Sequence, residues 1–451
     1  MKKDSRHFTL ILAVLASFLI TFVGSSVNIA LPQIGHDLAI TTTILTWIPT
    51  SYLLVLAVLI IPLGRLSDIH GRKKIFMIGI LIFTVSSFLA GFSSSGAILL
   101  FFRFIQAVGS AMIFANVNAI VASVFPVMNR GHALGITISG AFLGLFLGPI
   151  IGGILTVNLG WRSIFFINIP IGITTMWVAF KLKEEWNPSL GEIFDIKGTI
   201  ILGTSTILSI LGLTQLPSTN GFYFLISGII GGFIYYLYQN RVKTPVFDLG
   251  IFKNRVFGFN SLAIPISFTA TYPIIFLLSL YLQYVLKLNP VAAGLVLSAQ
   301  PLFLVIFSSY TGKLADKMDP FKLTVFGMSL VGLTSLTLTI FNSKPWEIFI
   351  ILALMGMGLA FFGTPNNKII FSAVEKNHLG VAGAYLSTMR VLGQLMGMVF
   401  VLLILNLFMG NAIIGPDNLD NFIFCTHISF MVIGILCGVA VLLIWLGKND
   451  R

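Results

Sequence analysis

Long apolar runs recur along almost the whole chain and alternate with short polar segments. A helix needs about 20 predominantly apolar residues to cross the hydrocarbon core of a bilayer, and fourteen runs approach or exceed that length. The sequence therefore predicts an all-α membrane protein with fourteen transmembrane helices. The predicted helices are 8–30, 45–63, 75–93, 96–121, 132–156, 161–181, 197–215, 221–239, 257–284, 290–312, 321–341, 346–369, 379–409 and 422–446.

The composition is typical of a membrane protein and indicates which class of partner the chain binds. Hydrophobic residues make up 57% of the chain and charged residues only 9%, whereas soluble domains carry about 25% charged residues. The net charge of +12 lies in short segments between apolar runs, so we expect lipid and not nucleic acid as the partner. Cys425 and Cys437 lie about 18 Å apart along one predicted helix, too far for a disulfide. No metal site or cofactor is expected.

Positive charge is distributed unevenly over the polar segments. Cytoplasmic segments of membrane proteins carry an excess of Lys and Arg. With the N-terminus placed inside, 22 of the 27 Lys and Arg fall on cytoplasmic segments, three (Arg162, Lys287 and Lys344) fall outside, and two (Arg103 and Arg390) lie within predicted helices. The sequence therefore predicts a multi-pass protein of the cytoplasmic membrane with both termini in the cytoplasm.

One polar segment occurs twice. Motif 1 (Gly64–Lys74) begins Gly-Arg-Leu-Ser-Asp, and motif 2 (Gly312–Lys322) begins Gly-Lys-Leu-Ala-Asp 248 residues later. Such a repeat indicates two similar halves. Motif 1 follows the second predicted helix and motif 2 the tenth, so two helices are inserted between six-helix halves. The predicted parts are an N-terminal half (1–181), a linker with two extra helices (182–256) and a C-terminal half (257–451).

Motif 1 has the residues of a tight cytoplasmic turn. Gly64 and Gly71 let the backbone turn without a Cβ penalty, and basic residues keep the segment in the cytoplasm. Asp68 can accept hydrogen bonds from a neighbouring helix N-terminus, where an anion is favoured. We expect this turn to act as a gate. The candidate gating residues are Gly64, Arg65, Asp68, Gly71, Arg72 and, in motif 2, Asp316.

The fourth predicted helix contains a charged residue, Arg103, with Gln106 one turn later on the same face and Gly109 beyond it. A charge at membrane depth is costly and usually faces a cavity or a partner. The alternative is an arginine that extends its charged end to the membrane interface. We place Arg103, Gln106 and Gly109 among the gating and coupling candidates.

The fifth predicted helix has a smooth face. Glycines recur at every fourth position, which lets another helix approach closely. Pro149 removes one backbone hydrogen bond and should bend the helix. A smooth face beside a bend suits helices that move against each other, although small residues also serve plain packing. The residues of this face are Gly140, Gly144, Gly148, Pro149, Gly152 and Gly153.

These residues resemble motifs of the major facilitator superfamily. The resemblance is carried by motif 1, by Arg103 with Gln106 and Gly109, and by the Gly148-Pro149-x-x-Gly152-Gly153 element, and it covers nearly the whole chain. Other elements are similar to the fourteen-helix drug:proton antiporter branch. They are Ser26–Pro32, Gly160–Arg162, Asn168–Pro170, Phe194–Gly198, Pro245–Asp248, and Gly380–Gly383 through Arg390.

The resemblance implies a secondary active transporter and not an enzyme. It implies export of small hydrophobic or amphipathic compounds by alternating access, with protons as the coupled ion. The chain has no GxxxxGK[ST] nucleotide-binding motif, so ATP is not expected as the direct energy source. The chain departs from the branch at Val23, where an acidic residue is often found. A carboxylate within the membrane is the usual proton carrier and the usual partner of a cationic drug.

The substrate's charge and the direction of transport stay open. An excess of Arg over acid within the predicted helices favours a second hypothesis, a transporter of an anionic or neutral metabolite. A third is a non-transporting membrane receptor on the same fold. The candidate substrate-cavity residues are Asn28, Arg103, Tyr272, Gln300, Arg390 and Gln394.

Overall fold

Helices are the regular secondary structure of the described part of the chain. The computed structural model describes residues 3–189, 191–241, 254–340, 344–374, 379–410 and 412–448, and no strand occurs among them. The Pro245–Asp248 element lies outside these residues. The N-terminal helices are α1 (Lys3–Asp37), α2 (Thr42–His70), α3 (Arg72–Gly91), α4 (Gly96–Val124), α5 (Val127–Leu159), α6 (Ser163–Phe166), α7 (Asn168–Lys181), α8 (Ile196–Gln215) and α9 (Thr219–Gln239). The later helices are α10 (Arg255–Tyr284), α11 (Pro290–Leu297), α12 (Ala299–Lys317), α13 (Pro320–Thr337), α14 (Pro345–Ser372), α15 (Leu379–Phe408) and α16 (Leu419–Leu446).

These helices confirm the predicted all-α membrane fold. Within the described residues, thirteen helical segments are long and apolar enough to cross a membrane, and the eighteen-residue α13 is the fourteenth long segment. Two predicted helices are interrupted. α6 ends at Phe166, four residues before Pro170, and α11 ends at Leu297, four residues before Pro301. A proline cannot donate to the carbonyl four residues earlier, so the helix breaks at that carbonyl.

The predicted turn in motif 1 is shorter than expected. α2 continues to His70 and α3 begins at Arg72, so only Gly71 leaves the helical conformation, with φ of 111°. The expectation that Gly64 turns the chain is wrong, because Gly64 lies inside α2. Apolar residues mark only the part of a helix inside the hydrocarbon core, whereas backbone hydrogen bonds extend the helix into the polar region beyond it.

The described helices fall into two compact units. The N-terminal unit is Met1–Ile40 with Ile44–Phe247, and the C-terminal unit is Thr41–Thr43 with Asp248–Arg451. In the N-terminal unit α1 packs against α5, α3 against α4 and α7, and α8 against α9. In the C-terminal unit α10 packs against α15 and α16, and α14 packs against α12 and α13.

Within each unit, one pair of neighbouring helices approaches closely at glycines, and the two pairs correspond to each other in the repeat. A Cβ atom at Gly109 of α4 would lie 2.6 Å from the amide nitrogen of Phe83 and 2.7 Å from the carbonyl oxygen of Gly79 on α3. A Cβ atom at Gly358 of α14 would lie 2.9 Å from the carbonyl oxygen of Gly327 on α13. Gly327 follows Gly79 by the same 248 residues that separate the two motifs. The repeat therefore extends from the motifs to the helix crossings.

The crossing of α13 and α14 predicts a matched pair of variants. Gly358→Leu should destabilise the C-terminal unit by roughly 1–3 kcal/mol or more, because the added side chain meets backbone atoms. Gly363→Leu, on the same helix, should be tolerated because a Cβ atom there meets nothing within 4 Å. The melting temperature of the purified protein in detergent measures both. Equal melting temperatures for the two variants would contradict the glycine contact.

Candidate functional site

Asp68 and Arg72 of motif 1 form the first part of the site. The Oδ1 atom of Asp68 accepts a hydrogen bond of 2.7 Å from Nε of Arg72. The same guanidinium donates from Nη1 to Oγ of Ser123, at 2.7 Å, and to the carbonyl oxygen of Ala119, at 3.3 Å. Arg72 therefore joins the end of α2 to the end of α4. Its positive charge lies near the C-terminal end of α4, where a cation is favoured.

Motif 2 is fastened in a different way. Asp316 accepts a hydrogen bond of 2.6 Å from Nζ of Lys368 on α14, and Lys368 also donates to the carbonyl oxygen of Ala315 at 2.9 Å. The position that corresponds to Arg72 is Pro320, which has no side-chain donor. One cationic side chain thus joins motif 1 to α4, and one joins motif 2 to α14. The cation is Arg72 of motif 1 in the N-terminal unit and Lys368 of α14 in the C-terminal unit.

Arg103 is the centre of a buried polar cluster in the N-terminal unit. It is 1% exposed, and its Nη1 donates to Oε1 of Gln106 at 2.6 Å. Gln106 in turn donates from Nε2 to Oγ of Ser87 on α3, also at 2.6 Å. The guanidinium carbon lies 4.4 Å from the ring centroid of Tyr52 on α2. Cations are attracted to the face of an aromatic ring at this distance.

The cluster gives the interior of the N-terminal unit a positive charge. The hydroxyl of Tyr52 donates to Oγ of Ser110 at 2.8 Å, which fixes the ring beneath Arg103. Among the described residues, Arg103 is the only charged side chain that is buried, and no carboxylate is. Such an interior favours hydrogen-bond acceptors and anions and disfavours cations.

The glycine face of α5 lies against α1. A Cβ atom at Gly140 would lie 2.6 Å from the carbonyl oxygen of Val14, and one at Gly152 would lie 2.9 Å from Cγ2 of Ile29. Gly144 and Gly148 face Thr21 and Ser25 on the same helix, while Pro149 and Gly153 are buried. Thr21 donates to the carbonyl of Ala141 at 2.8 Å, and Ser25 donates to the carbonyl of Gly144 at 3.1 Å. These bonds join α1 to α5 backbone atoms.

The candidate cavity residues are divided between the units. Asn28 on α1, 3% exposed, lies in the N-terminal unit with Arg103. The other four lie in the C-terminal unit, on α10, α12 and α15. Arg390 donates to Oδ1 of Asn367 at 3.2 Å. The members in the C-terminal unit are Tyr272, Gln300, Arg390 and Gln394.

Four residues that contact the predicted site residues were not identified from the sequence. They are Tyr52, Ser87, Ser123 and Lys368. Each of them contacts a predicted residue from a different helix, and no sequence spacing reports a contact between helices. One weak sequence signal could have indicated Tyr52: it follows Thr50 and Ser51 and forms with them a short polar stretch within an apolar run. Among the described residues, no group of three His, Cys, Asp or Glu side chains could hold a metal ion.

Known proteins resemble the chain over most of its length. It is 32% identical to "Riboflavin transporter RibZ" of Clostridioides difficile, over 88% of this chain and 87% of that one. It is 30% identical to "Multidrug efflux pump LfrA" of Mycolicibacterium smegmatis, over 86% of this chain and 78% of that one. A crystal structure of the peptide transporter POT has the same fold, with a TM-score of 0.72 at 15% identity over 97% of this chain and 95% of that one.

The cluster around Arg103 predicts different effects for two substitutions at one position. Gln106→Leu should lower the melting temperature in detergent by several degrees, because a buried charged donor loses its acceptor. Gln106→Glu loses the donor to Ser87 but keeps the acceptor for Arg103 and adds an opposite charge, so its melting temperature should exceed that of Gln106→Leu. Gln106→Leu as stable as the wild type, or Gln106→Glu less stable than Gln106→Leu, would contradict the geometry described above.

The family follows from the match of the sequence as a whole. The sequence model of the Major Facilitator Superfamily matches residues 13–272 and again residues 261–451. Two matches in tandem agree with the internal repeat seen in the motifs and in the helix crossings. The chain belongs to the major facilitator superfamily of membrane transporters.

Proposed function

We propose that the chain is a secondary active transporter of the fourteen-helix drug:proton antiporter branch, which exports small hydrophobic or amphipathic compounds. The inserted pair α8 and α9, which pack on each other, supports this branch. So does the Gly148-Pro149-x-x-Gly152-Gly153 element of α5, which resembles the antiporter signature of drug-efflux members of the family and whose glycines lie against α1. The similarity to LfrA and to the Mycobacterium tuberculosis "Multidrug resistance protein Stp" supports export of drugs.

The proposed organisation has two six-helix halves, 1–181 and 257–451, with the segment 182–256 inserted between them. Transport proceeds by alternating access around a site near the middle of the membrane. The protein lies in the cytoplasmic membrane with both termini in the cytoplasm, as the distribution of Lys and Arg indicates. Reporter fusions at both termini test this orientation.

The buried cluster around Arg103 supports one class of substrate. A guanidinium presents donors in a planar fork that suits a carboxylate or a pair of carbonyl oxygens. No buried carboxylate among the described residues could pair with a cationic compound. We therefore propose that the exported compounds are neutral or anionic and carry acceptor groups that Arg103 binds. This buried positive charge is the single observation on which the proposed substrate class rests.

The same observation favours a second candidate function, transport of a neutral metabolite. Riboflavin, named in the description of the relative RibZ, is uncharged at neutral pH, and its ring system is flat and carries carbonyl acceptors at one edge. An arginine stacked on a tyrosine could bind such a ring system through hydrogen bonds and ring contact. Transport of a riboflavin-like compound needs no change to the proposed architecture.

We propose that the inward proton gradient drives export. The described acidic residues lie at helix ends or in connecting segments, so a transported proton is carried there or by the substrate. One of them, Asp37, contacts His36 and accepts a hydrogen bond of 3.1 Å from the indole of Trp161. Histidine is the side chain whose ordinary pKa lies nearest to neutrality.

The test of the proposed function uses purified protein in proteoliposomes with an imposed proton gradient. Ethidium, riboflavin and fluorescein serve as cationic, neutral and anionic probes, and an internal pH dye records proton movement. Protein molecules whose cytoplasmic side faces outward should take up riboflavin, fluorescein or both into the proteoliposomes, with protons moving in the opposite direction. Transport of ethidium alone would overturn the proposed substrate class, and absence of any gradient-driven transport would overturn the proposed function.

Arg103 provides the sharpest prediction on the substrate. Arg103→Lys keeps the charge but loses the fork, so fluorescein transport should fall by about tenfold or more while riboflavin transport falls less. Arg103→Ala should nearly abolish transport of both. Initial rates in proteoliposomes measure these effects, with the amount of folded protein checked by size-exclusion chromatography. Robust ethidium transport by Arg103→Ala with an unchanged pH dependence would contradict the role of Arg103.

Asp68 provides a prediction on the gate. Asp68→Asn keeps the size of the side chain but removes the charge that pairs with Arg72, so transport should fall severely while expression and membrane insertion stay nearly normal. Asp316→Asn is the matched control, because its pair with Lys368 is more exposed, at 71% for Asp316 and 46% for Lys368, and exposed pairs contribute little. Equal transport by Asp68→Asn and the wild type would show that motif 1 does not act through this charge.

A further inference from the structure

The segment after α7 lies along motif 1. We call Leu182–Ser189 the strap. The amide of Arg72 donates to the carbonyl oxygen of Trp186 at 2.9 Å, and the amide of Ser189 donates to the carbonyl oxygen of Asp68 at 3.0 Å. Two backbone hydrogen bonds in opposite directions therefore attach the strap to the end of α2 and the start of α3.

A carboxylate of the strap closes the N-terminus of α3. Glu185 accepts a hydrogen bond of 2.8 Å from the amide of Lys73 through Oε1 and one of 3.1 Å from the amide of Lys74 through Oε2. The first amides of a helix have no acceptor within the helix, and a negative charge is favoured there. Gly71, the residue before α3, has no side chain to cap it. Glu185 therefore supplies from the strap what a local capping residue usually supplies.

Gly71 is suited to this contact in two ways. Its φ of 111° lies in the left-handed region that other residues rarely adopt. A Cβ atom at this position would also lie 2.8 Å from Cδ of Glu185. The absence of a side chain at Gly71 thus allows both the sharp turn between α2 and α3 and the close approach of the Glu185 carboxylate.

Further contacts hold the strap at both of its ends. At its start, Nζ of Lys73 donates to the carbonyl oxygen of Leu182. At its end, Arg65 donates to Oγ of Ser189 at 3.2 Å and forms an ion pair with Glu192. Each of these bonds joins motif 1 to the strap or to the residues that directly follow it.

The connection continues to the inserted helices. Asp195 caps α8 by accepting from the amide of Gly198 at 2.9 Å, and it also accepts from the hydroxyl of Tyr238 on α9 at 2.8 Å. The chain that follows the strap therefore leads to a second anchored residue, Asp195, which joins the start of α8 to the end of α9.

We propose that Glu185 is a positioning residue, which fixes the start of α3 and thereby holds Asp68 and Arg72 in the arrangement that fastens α2 to α4. Its effect on transport rests on the proposed function, whereas the capping contact does not. Nothing in motif 1 itself replaces the carboxylate, because Asp68 is engaged with Arg72. Without Glu185, the amides of Lys73 and Lys74 lose their acceptors and the turn at Gly71 gains freedom.

Hydrogen–deuterium exchange tests the contact on the full-length protein in detergent. In Glu185→Ala, exchange at the amides of residues 73 and 74 should speed up by about tenfold, the change that loss of one hydrogen bond of ordinary strength produces. Glu184→Ala, which removes the adjacent acid, should leave these amides unchanged. Glu185→Gln keeps one acceptor oxygen and should give an intermediate result. Unchanged exchange in Glu185→Ala would overturn the proposal.

A second readout separates positioning from mere stability. Initial rates in proteoliposomes, with whichever of fluorescein and riboflavin the wild type transports, should show a severalfold lower kcat for Glu185→Ala with KM little changed. The contacts described above attach the strap to motif 1 and not to the residues around Arg103. Glu185→Gln should recover part of the rate. Faster exchange together with a wild-type kcat would overturn the positioning role. If the wild type moves neither fluorescein nor riboflavin, the proposed substrate class fails, and the exchange experiment alone then decides the inference.

Discussion

The close approach of helix backbones at glycines is the constraint on which the rest of the structure depends. In lipid, helices gain little from the hydrophobic effect when they associate, so van der Waals packing and hydrogen bonds between helices must hold them together. Gly109 on α4 and Gly358 on α14 each lie against backbone atoms of the neighbouring helix. Thr21 uses such an approach to donate to a carbonyl of α5, and Thr269 donates in the same way to the carbonyl of Gly393 on α15.

The polar groups depend on this packing for their positions. Arg103 is buried, and the hydrogen bond to Gln106 and the ring of Tyr52 hold it in place. These partners come from α2 and α4, and Ser87 of α3 extends the network. If α4 were shifted along α3 by one residue, Gln106 would be separated from Ser87. The charge at membrane depth is thus tolerated because three helices are fixed around it.

The two units share their helix crossings but differ at their repeated motifs. Motif 1 contains its own cation, Arg72, and the strap caps the following helix through Glu185. Motif 2 has Pro320 in place of the arginine, and Lys368 of α14 supplies the positive charge. Asp319 caps the next helix locally, through the amide of Phe321 at 3.0 Å. The cap of the following helix therefore comes from within motif 2, whereas in motif 1 it comes from a distant segment of the chain.

The sequence by itself determined the helical class and the approximate place of each membrane segment, because these follow from the length of the apolar runs. It also determined the internal repeat, through the similarity of motifs 1 and 2, and the glycine face of α5, through the spacing of its glycines. Local chemistry also marked Arg103 and Asp68, since charges are rare within such runs. Only the tertiary structure decided which groups they meet. Tyr52 lies 51 residues from Arg103 in the chain, and Glu185 lies 112 residues from Lys73, whose amide it caps. A contact across such a distance depends on helix packing that no local spacing records.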